Sequence, residues 1–211
     1  MTEFQRVKIC GITNVDDAIV ACNAGADAIG LVFYPKSPRN VSIEAAREIA
    51  RSVGPFCSVV GLFVNAEAEF VNEVLSRVDL HVLQFHGDED EQYCRQFKRP
   101  FYKALRMKEG FDVEAAMAKF PSAIAILLDA YRAGVPGGTG ETFDWQRVPK
   151  ASARPIVLAG GLTPENVSTA VAATCVYGVD VSGGVEAQPG KKDSDKVRAF
   201  IRRAKAENKS D

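Results

Sequence analysis

The sequence predicts an α/β protein that folds as one closed (β/α)8 barrel, a TIM barrel. Short apolar segments alternate with longer segments whose apolar residues recur at helical spacing, from one end of the 211 residues to the other. This alternation implies a parallel sheet, because each strand needs a crossover helix to return. An open doubly wound sheet is the competing architecture, and eight nearly uninterrupted strand–helix pairs favour the barrel. We predict a single domain over residues 1–211, with a disordered tail from about Glu207.

The eight predicted strands are short apolar runs between segments rich in polar residues, glycine and proline. In chain order they are Val7–Cys10, Ala28–Phe33, Cys57–Phe63, Val82–Phe85, Phe101–Leu105, Ile124–Asp129, Ile156–Ala159 and Val176–Val181. Barrels of this kind place their site at the carboxyl ends of the strands, so the last residues of each run are the candidates for function.

Several of the intervening helices begin at a recognisable capping residue. Asn14 and Ser42 each precede acidic residues at the start of a helical pattern. Thr163 is followed by Pro164, which suits the first position of a helix. The last helix is predicted over Ser194–Ala206. Together these signals predict one helix after each strand.

Charge and hydropathy exclude several classes of protein. The chain has 26 basic and 27 acidic residues, a net charge of −1, so it lacks the electrostatic signature of a nucleic-acid or membrane-surface protein. No stretch approaches the roughly 18 consecutive apolar residues of a membrane span, and the first residues do not resemble a signal peptide. We therefore expect a cytoplasmic protein.

Cysteine and histidine content argues against a disulfide framework and a metal site. The five cysteines are odd in number, widely spaced and without a Cys-x-x-Cys pair, which suits a reducing compartment. The chain has only two histidines, His81 and His86, too few for a histidine-rich metal site.

Two pairs of glycine residues follow the seventh and eighth strands, Gly160-Gly161 and Gly183-Gly184. Without side chains, paired glycines let backbone N–H groups approach an anion, and a following helix terminus adds partial positive charge. Loops after strands seven and eight hold the substrate phosphate in many barrels. A sharp turn at each strand end is the alternative explanation, but two pairs at corresponding positions favour a phosphate site.

Cys10 ends the first strand. Because side chains alternate along a strand, Lys8 and Cys10 share one face while Val7 and Ile9 share the other. The apolar pair is expected to face the helices, which leaves the lysine and the cysteine in the lumen. A free cysteine is usually a small buried hydrophobe. The neighbouring cation instead predicts a lowered thiol pKa and a larger thiolate fraction.

Asp129 closes the apolar sixth strand, where it either caps a loop or acts as an acid. Desolvation at an apolar barrel mouth favours a protonated carboxyl, which a general acid needs. Arg39 follows the second strand, and its planar fork suits a carboxylate, although most loop arginines are only solvated. His86 follows the fourth strand as a ligand contact or a neutral packing residue. The glycine-rich stretch 132–145 is either a mobile cover that excludes water or an ordinary long connection.

Taken together, these motifs resemble the phosphoribosylanthranilate isomerase family. Each is modest alone, but they occur in family order over almost the whole chain. The matching segments are Lys8–Thr13, Phe33–Arg39, Gln84–Gly87, Leu128–Asp129, Gly137–Trp145, Ala159–Asn166 and Asp180–Glu186. The resemblance implies a (β/α)8 barrel that carries out an Amadori rearrangement in tryptophan biosynthesis, without cofactor or metal.

The resemblance also implies roles for individual residues. Asp129 would be the general acid that protonates the ribose ring oxygen, and Cys10 the general base that removes the proton from the ribose C2. Arg39 would face the anthranilate carboxylate. Backbone groups near four residues would hold the phosphate, namely Gly161, Ser182, Gly183 and Gly184. His86, Gly160 and Asp180 complete the implied substrate-binding set.

Two positions depart from the usual family pattern. Gly183 stands where a second serine is common, which removes a hydroxyl donor but keeps the backbone N–H, so we expect somewhat weaker phosphate binding. Phe85 replaces a more usual leucine beside His86, and we attach no functional meaning to this apolar exchange.

Related barrels and a silent barrel are the alternatives. A histidine-pathway isomerase typically pairs two aspartates at the ends of the first and fifth strands, whereas position 10 is cysteine. An indole-forming synthase has a lysine–glutamate constellation and a longer amino terminus, and a metal-dependent epimerase needs more histidines. A catalytically silent barrel that binds a phosphorylated metabolite stays open, although Cys10 and Asp129 speak against it. The exposed helical faces, such as Arg47 with Arg51, predict a monomer.

Overall fold

The structure, a computed structural model, describes residues 5–130 and 144–206. Eight strands, β1 to β8, close into a barrel in chain order, and every neighbouring pair in it is parallel. They are β1 Arg6–Cys10, β2 Ala28–Phe33, β3 Ser58–Phe63, β4 Val82–Phe85, β5 Phe101–Met107, β6 Ala125–Ala130, β7 Ile156–Leu158 and β8 Gly178–Val181. The predicted TIM barrel is therefore confirmed, and the open sheet is excluded because β1 pairs with β8.

The described residues contain seven α-helices that surround the barrel, α1 to α7. They are α1 Val15–Asn23, α2 Ile43–Ser52, α3 Ala68–Arg77, α4 Glu91–Arg95, α5 Val113–Ala118, α6 Val167–Thr174 and α7 Ser194–Ala206. Asn14 and Ser42 cap α1 and α2 as predicted, each accepting a hydrogen bond from a backbone N–H three residues later. After β8, a small antiparallel hairpin of β9 Glu186–Gln188 and β10 Lys191–Lys192 leads into α7.

One helix prediction was wrong in detail. The helix predicted to start at Thr163 begins at Val167, because the Asn166 side chain bonds back into the preceding loop. It accepts from Thr163 N at 2.8 Å and donates to Gly161 O at 2.9 Å, which holds residues 163–166 in a turn. Between β6 and β7, the described residues 144–155 contain only a short 3₁₀ turn, Trp145–Arg147. The predicted cover over 132–145 and the tail from Glu207 lie almost wholly outside the described residues.

Two separate apolar layers hold the barrel together. The outer layer lies between the strands and the helices and includes Val7 and Ile9, as the alternation along β1 predicted. A smaller layer lies in the lumen and has six buried residues, which are Val60, Tyr102, Ala104, Ala125, Leu127 and Ala159. Filling the lumen makes the barrel a packed core with an opening at one end. In the part of the chain that is described, no helix combines the length and apolarity needed to cross a membrane.

Phe85 belongs to the outer layer, where the face of the sheet carries a cluster of aromatic rings. Its ring centroid lies 6.4 Å from that of Phe63, 5.8 Å from Phe97 and 5.9 Å from Phe101. Aromatic pairs at such distances add about 0.5–1.5 kcal/mol each to the gain from burial. The phenylalanine at this position is therefore explained by packing.

Candidate functional site

A pocket opens at the carboxyl ends of the strands, where the sequence predicted the site. It is lined by residues of β1, β2, β3, β4, β6 and β8 and of the segments that follow β2, β3, β4, β7 and β8. All ten residues predicted to be catalytic or substrate-binding line this one pocket. They are Cys10, Arg39, His86, Asp129, Gly160, Gly161, Asp180, Ser182, Gly183 and Gly184.

Cys10 lies in an apolar wall of the pocket. Its side chain is buried with Val32 and Leu62, and the half-buried Tyr34 and Val64 extend this wall outward. Gly30 on the neighbouring strand provides the space, because a Cβ atom there would lie 2.7 Å from the Cys10 Sγ. The lumenal orientation predicted from strand alternation is confirmed.

The expected lowering of the Cys10 pKa was wrong. Burial raises the pKa of the Cys10 thiol, and the ammonium of Lys8 lowers it by a smaller amount. Lys8 is itself bound to a carboxylate, since its Nζ lies 2.8 Å from the Asp180 Oδ2 in a buried ion pair. The Asp180 charge also opposes the thiolate, so the balance of these effects leaves the Cys10 pKa above its ordinary value.

Lys8 also begins a chain of hydrogen bonds that crosses the lumen. Its Nζ donates to the Gln84 Oε1 at 3.0 Å, and the Tyr102 hydroxyl donates to the same oxygen at 2.8 Å. Gln84 and Tyr102 were not among the predicted site residues. Both face the lumen. Gln84 is on β4, two residues before His86, which directly follows that strand, so the alternation of side chains with a period of two was the signal that could have found it.

Asp129 ends this chain on the opposite side of the barrel. The Gln84 Nε2 lies 3.0 Å from the His86 Nδ1, and the His86 Nε2 lies 3.0 Å from the Asp129 Oδ2. The Asp129 carboxyl is 4% exposed. Its other oxygen, Oδ1, lies beside Gly160, where an added Cβ would come within 2.9 Å of it. One oxygen is therefore held by histidine, and the other lies against the glycine loop of the pocket.

The two glycine loops approach each other so closely that side chains do not fit. Gly160 and Gly161 have positive φ angles of 84° and 63°. A Cβ on Gly160 would lie 2.3 Å from the Ala130 N, and one on Gly184 would lie 1.9 Å from the Leu162 O. Among the described residues, no group hydrogen-bonds the buried Ser182 Oγ. The geometry leaves backbone groups and one hydroxyl for an anion, in keeping with the predicted phosphate site.

Arg39 reaches the pocket from the loop after β2, and a carboxylate of the chain already binds it. Its Nε and Nη2 donate to the two oxygens of Glu186 at 2.8 Å and 2.7 Å. Lys192 donates to Glu186 as well, at 3.0 Å. Burial opposes the charge of Glu186, but these partners, with Arg39 first, outweigh it and lower the Glu186 pKa. Sequence reasoning placed Glu186 in a motif but did not foresee this pair.

Comparison with protein families and with known sequences gives consistent matches. A family model described as N-(5′-phosphoribosyl)anthranilate (PRA) isomerase matches residues 7–203. The N-(5′-phosphoribosyl)anthranilate isomerase of Cellvibrio japonicus is 63% identical over 195 residues, which cover 92% of this chain and 91% of that protein.

Solved structures of phosphoribosyl anthranilate isomerases are also similar to this chain. A phosphoribosyl anthranilate isomerase crystallised in complex with reduced 1-(o-carboxyphenylamino)-1-deoxyribulose 5-phosphate is 43% identical, with a TM-score of 0.84. The match covers 95% of this chain and 98% of that one. A structure of monomers generated from the dimeric Thermotoga maritima isomerase is 42% identical, with the same TM-score of 0.84 and the same coverage.

Proposed function

Because this chain belongs to the N-(5′-phosphoribosyl)anthranilate isomerase family, we propose that Asp129 and Cys10 are the general acid and the general base of its reaction. That reaction is the Amadori rearrangement of N-(5-phosphoribosyl)anthranilate to 1-(2-carboxyphenylamino)-1-deoxyribulose 5-phosphate in tryptophan biosynthesis. One observation carries the assignment: the Asp129 carboxyl and the Cys10 thiol line the same pocket as the two glycine loops.

Asp129 starts the reaction by opening the ribose ring. Its proton goes to the ring oxygen while the anthranilate nitrogen supplies an electron pair to C1, so the bond between C1 and the ring oxygen breaks. The product of this step is a protonated Schiff base. A buried carboxyl suits the task, because an acid that faces an apolar mouth delivers its proton to the substrate rather than to bulk water.

Cys10 completes the isomerisation as a base. Its thiolate removes the proton from C2, and the electrons of that bond neutralise the Schiff base to give an enolamine. The enolamine then tautomerises to the ketone as C1 gains a proton and the C2 hydroxyl loses one. Lys8 lies beside the thiol and supports the thiolate form against the effect of burial.

The remaining pocket residues match the two ends of the substrate. The glycine loops after β7 and β8 would bind the phosphate through backbone N–H groups, with the Ser182 hydroxyl as a further donor. The apolar wall of Val32 and Leu62 suits the aromatic ring. Arg39 uses Nε and Nη2 on Glu186, so its Nη1 would contact the anthranilate carboxylate.

Cellular location, domain organisation and oligomeric state complete the proposal. All five cysteines are free thiols, which supports a cytoplasmic location. A single domain is supported by the family match over residues 7–203. A monomer is supported by the exposed Arg47 and Arg51 on α2, whereas Phe56, 97% exposed, is the side chain that a dimer would be expected to cover. Sedimentation decides: the mass of one chain supports the monomer, and twice that mass contradicts it.

The experiment follows the loss of substrate fluorescence when N-(5-phosphoribosyl)anthranilate, generated in place, is mixed with purified protein. Asp129→Asn and Cys10→Ala should each lower kcat by roughly 10²-fold or more, because each removes a proton-transfer group, and should leave phosphate binding nearly intact. The exposed Asp79→Asn and Cys175→Ala are matched controls that should retain full activity. Near-normal turnover of either site variant would overturn the role of that residue.

A further inference from the structure

The hydrogen-bond chain across the lumen fixes which nitrogen of His86 carries a proton. We propose that Gln84 is a positioning residue that holds His86 as the neutral Nε2–H tautomer, so that His86 donates a hydrogen bond to the Asp129 Oδ2. The inference rests on the proposed role of Asp129 as the acid, and it adds a function for three lumenal residues that line or underlie the pocket, namely Lys8, Gln84 and Tyr102.

The first step identifies the atoms of the Gln84 amide. An ammonium group can only donate, so the Gln84 atom that lies 3.0 Å from the Lys8 Nζ must be the oxygen. Burial opposes the charge of Lys8, but the Asp180 carboxylate outweighs it and raises the Lys8 pKa well above its ordinary value. Burial also raises the pKa of Tyr102, whose phenol therefore keeps its proton and donates to the same oxygen at 2.8 Å. Two donors thus hold the amide in one orientation.

In the second step, the fixed orientation of the Gln84 amide determines which nitrogen of the His86 imidazole accepts a hydrogen bond. With its oxygen on Lys8 and Tyr102, Gln84 presents its NH₂ group to the His86 Nδ1 at 3.0 Å. The NH₂ group is a donor, so Nδ1 must accept and carries no proton. A neutral imidazole then has its proton on Nε2, which lies 3.0 Å from the Asp129 Oδ2. All three side chains are buried, which leaves little room for water to replace either contact.

The third step concerns the acid. An Nε2 that already carries a proton cannot accept one from Asp129. The acidic proton of Asp129 therefore resides on Oδ1, which lies beside Gly160 at the edge of the pocket. After the proton has moved to the substrate, the Nε2–H group stabilises the carboxylate that remains. In the opposite tautomer, Nε2 would compete with the substrate for the proton of the acid.

The chain has only two histidines, which makes the tautomer directly measurable. His81 supplies an internal reference, because its Nδ1 accepts the backbone N–H of Val59 at 2.9 Å and must also lack a proton. Protein labelled with ¹⁵N-histidine is studied by long-range ¹H–¹⁵N correlation, and His81→Gln assigns the two rings. We expect a bare Nδ1 and a protonated Nε2 on His86 at neutral pH. A proton on the His86 Nδ1 would overturn the inference.

Two substitutions test whether Gln84 is the cause. Gln84→Glu replaces the NH₂ donor by an acceptor, so His86 should gain a proton on Nδ1. Gln84→Met removes the donor with little change in volume and should give a mixture of both tautomers. It should also lower kcat by roughly tenfold with KM nearly unchanged, a partial loss of the acid's contribution. The exposed Gln96→Met is the matched control and should leave the His86 signals in place.

An unchanged His86 spectrum in a folded Gln84→Met protein would overturn the proposal, whatever happens to Gln84→Glu. The spectra do not require turnover, so they stand even if Asp129→Asn keeps full activity and the proposed acid is wrong. Conversely, inactive Asp129→Asn together with a proton on the wild-type His86 Nδ1 would remove only this inference.

Discussion

The two sides of the pocket are built on different principles. The side formed by β7 and β8 presents glycines, whose backbone groups are exposed because added side chains would collide with Ala130 or Leu162. The side formed by β1, β4 and β6 presents side chains, each held by a neighbour through hydrogen bonds or an ion pair. The first side depends on the absence of side chains and the second on their identity.

This difference separates binding from chemistry. Backbone donors recognise a phosphate in the same way before and after the reaction, so changes on the glycine side should act mainly on KM. The side chains that we propose to move protons would act in the transition state, so changes on their side should act mainly on kcat. If that separation holds, substitutions on the two sides should differ in their kinetic effects, with the largest effect at Gly160 and the smallest at Gly183.

The largest effect is expected where the two sides meet, at Gly160. A methyl group there would lie 2.3 Å from the Ala130 N and 2.9 Å from the Asp129 Oδ1. Gly160→Ala should therefore displace the acid as well as the phosphate loop, and a shift of about 1 Å costs on the order of 10²-fold in rate. Steady-state kinetics should show a loss in kcat and a rise in KM together.

Gly110→Ala is the matched control for backbone strain. Gly110 also has a positive φ, 68°, but no described atom lies within 4 Å of an added Cβ. The substitution should cost about 1 kcal/mol of stability and leave both kinetic constants unchanged. If Gly160→Ala altered KM alone, the contact with Asp129 would be irrelevant to catalysis.

The second effect is a pH dependence of the Cys10 thiol, which lies on the side formed by β1, β4 and β6. Burial raises the pKa of Cys10, so its thiolate fraction, and with it the rate at which iodoacetamide alkylates Cys10, should increase as pH rises through the neutral and into the alkaline range. The rise should be about tenfold per pH unit below the thiol pKa. Lys8→Met removes the cation that opposes burial and should move the rise to higher pH. A rate of Cys10 alkylation, followed by mass spectrometry, that does not change between pH 6 and about 9 would contradict the raised thiol pKa.

The third effect is confined to the glycine side. A Cβ on Gly184 would lie 1.9 Å from the Leu162 O, so Gly184→Ala must push the two loops apart. We expect KM to rise about tenfold and unfolding free energy to fall by about 1–3 kcal/mol, the usual cost of overpacking. Thermal unfolding and initial rates measure both. A drop in kcat of the same size would show that the separation between the two sides fails.

The smallest effect is expected at Gly183, where the family resemblance leads us to expect a serine. Its φ is not among the positive ones, so a serine fits the backbone. Gly183→Ser adds one hydroxyl donor, which is worth about 1 kcal/mol and corresponds to a decrease in KM of roughly fivefold. An unchanged KM in the same fluorescence assay would mean that this hydroxyl does not reach the phosphate.

Local patterns in the sequence were sufficient to predict the barrel and most of the site residues. Predicted and observed strand ends differ by no more than two residues, because each strand is a short apolar run bounded by polar or glycine-rich segments. Alternation along β1 placed Lys8 and Cys10 in the lumen. The rule that function lies at the carboxyl ends of strands then selected eight of the ten site residues, the family resemblance added Asp180 and Ser182, and all ten line one pocket.

What could not be predicted depends on contacts between distant parts of the chain. Arg39 and Glu186 are 147 positions apart in the sequence, and Lys8 and Gln84 are 76 positions apart, so no local sequence pattern predicts either contact. The Cys10 pKa was misjudged for the same reason. Sequence showed the nearby cation, but only the fold shows how deeply the thiol is buried and that Asp180 binds the same lysine.

The chain that runs from Lys8 to Asp129 is anchored mainly in the barrel strands β1, β4 and β6, whereas Arg39, Tyr34 and Val64 lie in loops. Strands of a closed barrel are the least replaceable part of the fold, and loops tolerate exchange. The residues proposed to transfer protons and the loop residues proposed to select the substrate can therefore change independently during evolution. New loops after β2 and β3 could bring a different amine to an unaltered acid and base, so this barrel is a suitable starting point for directed evolution toward other aminated phosphosugars.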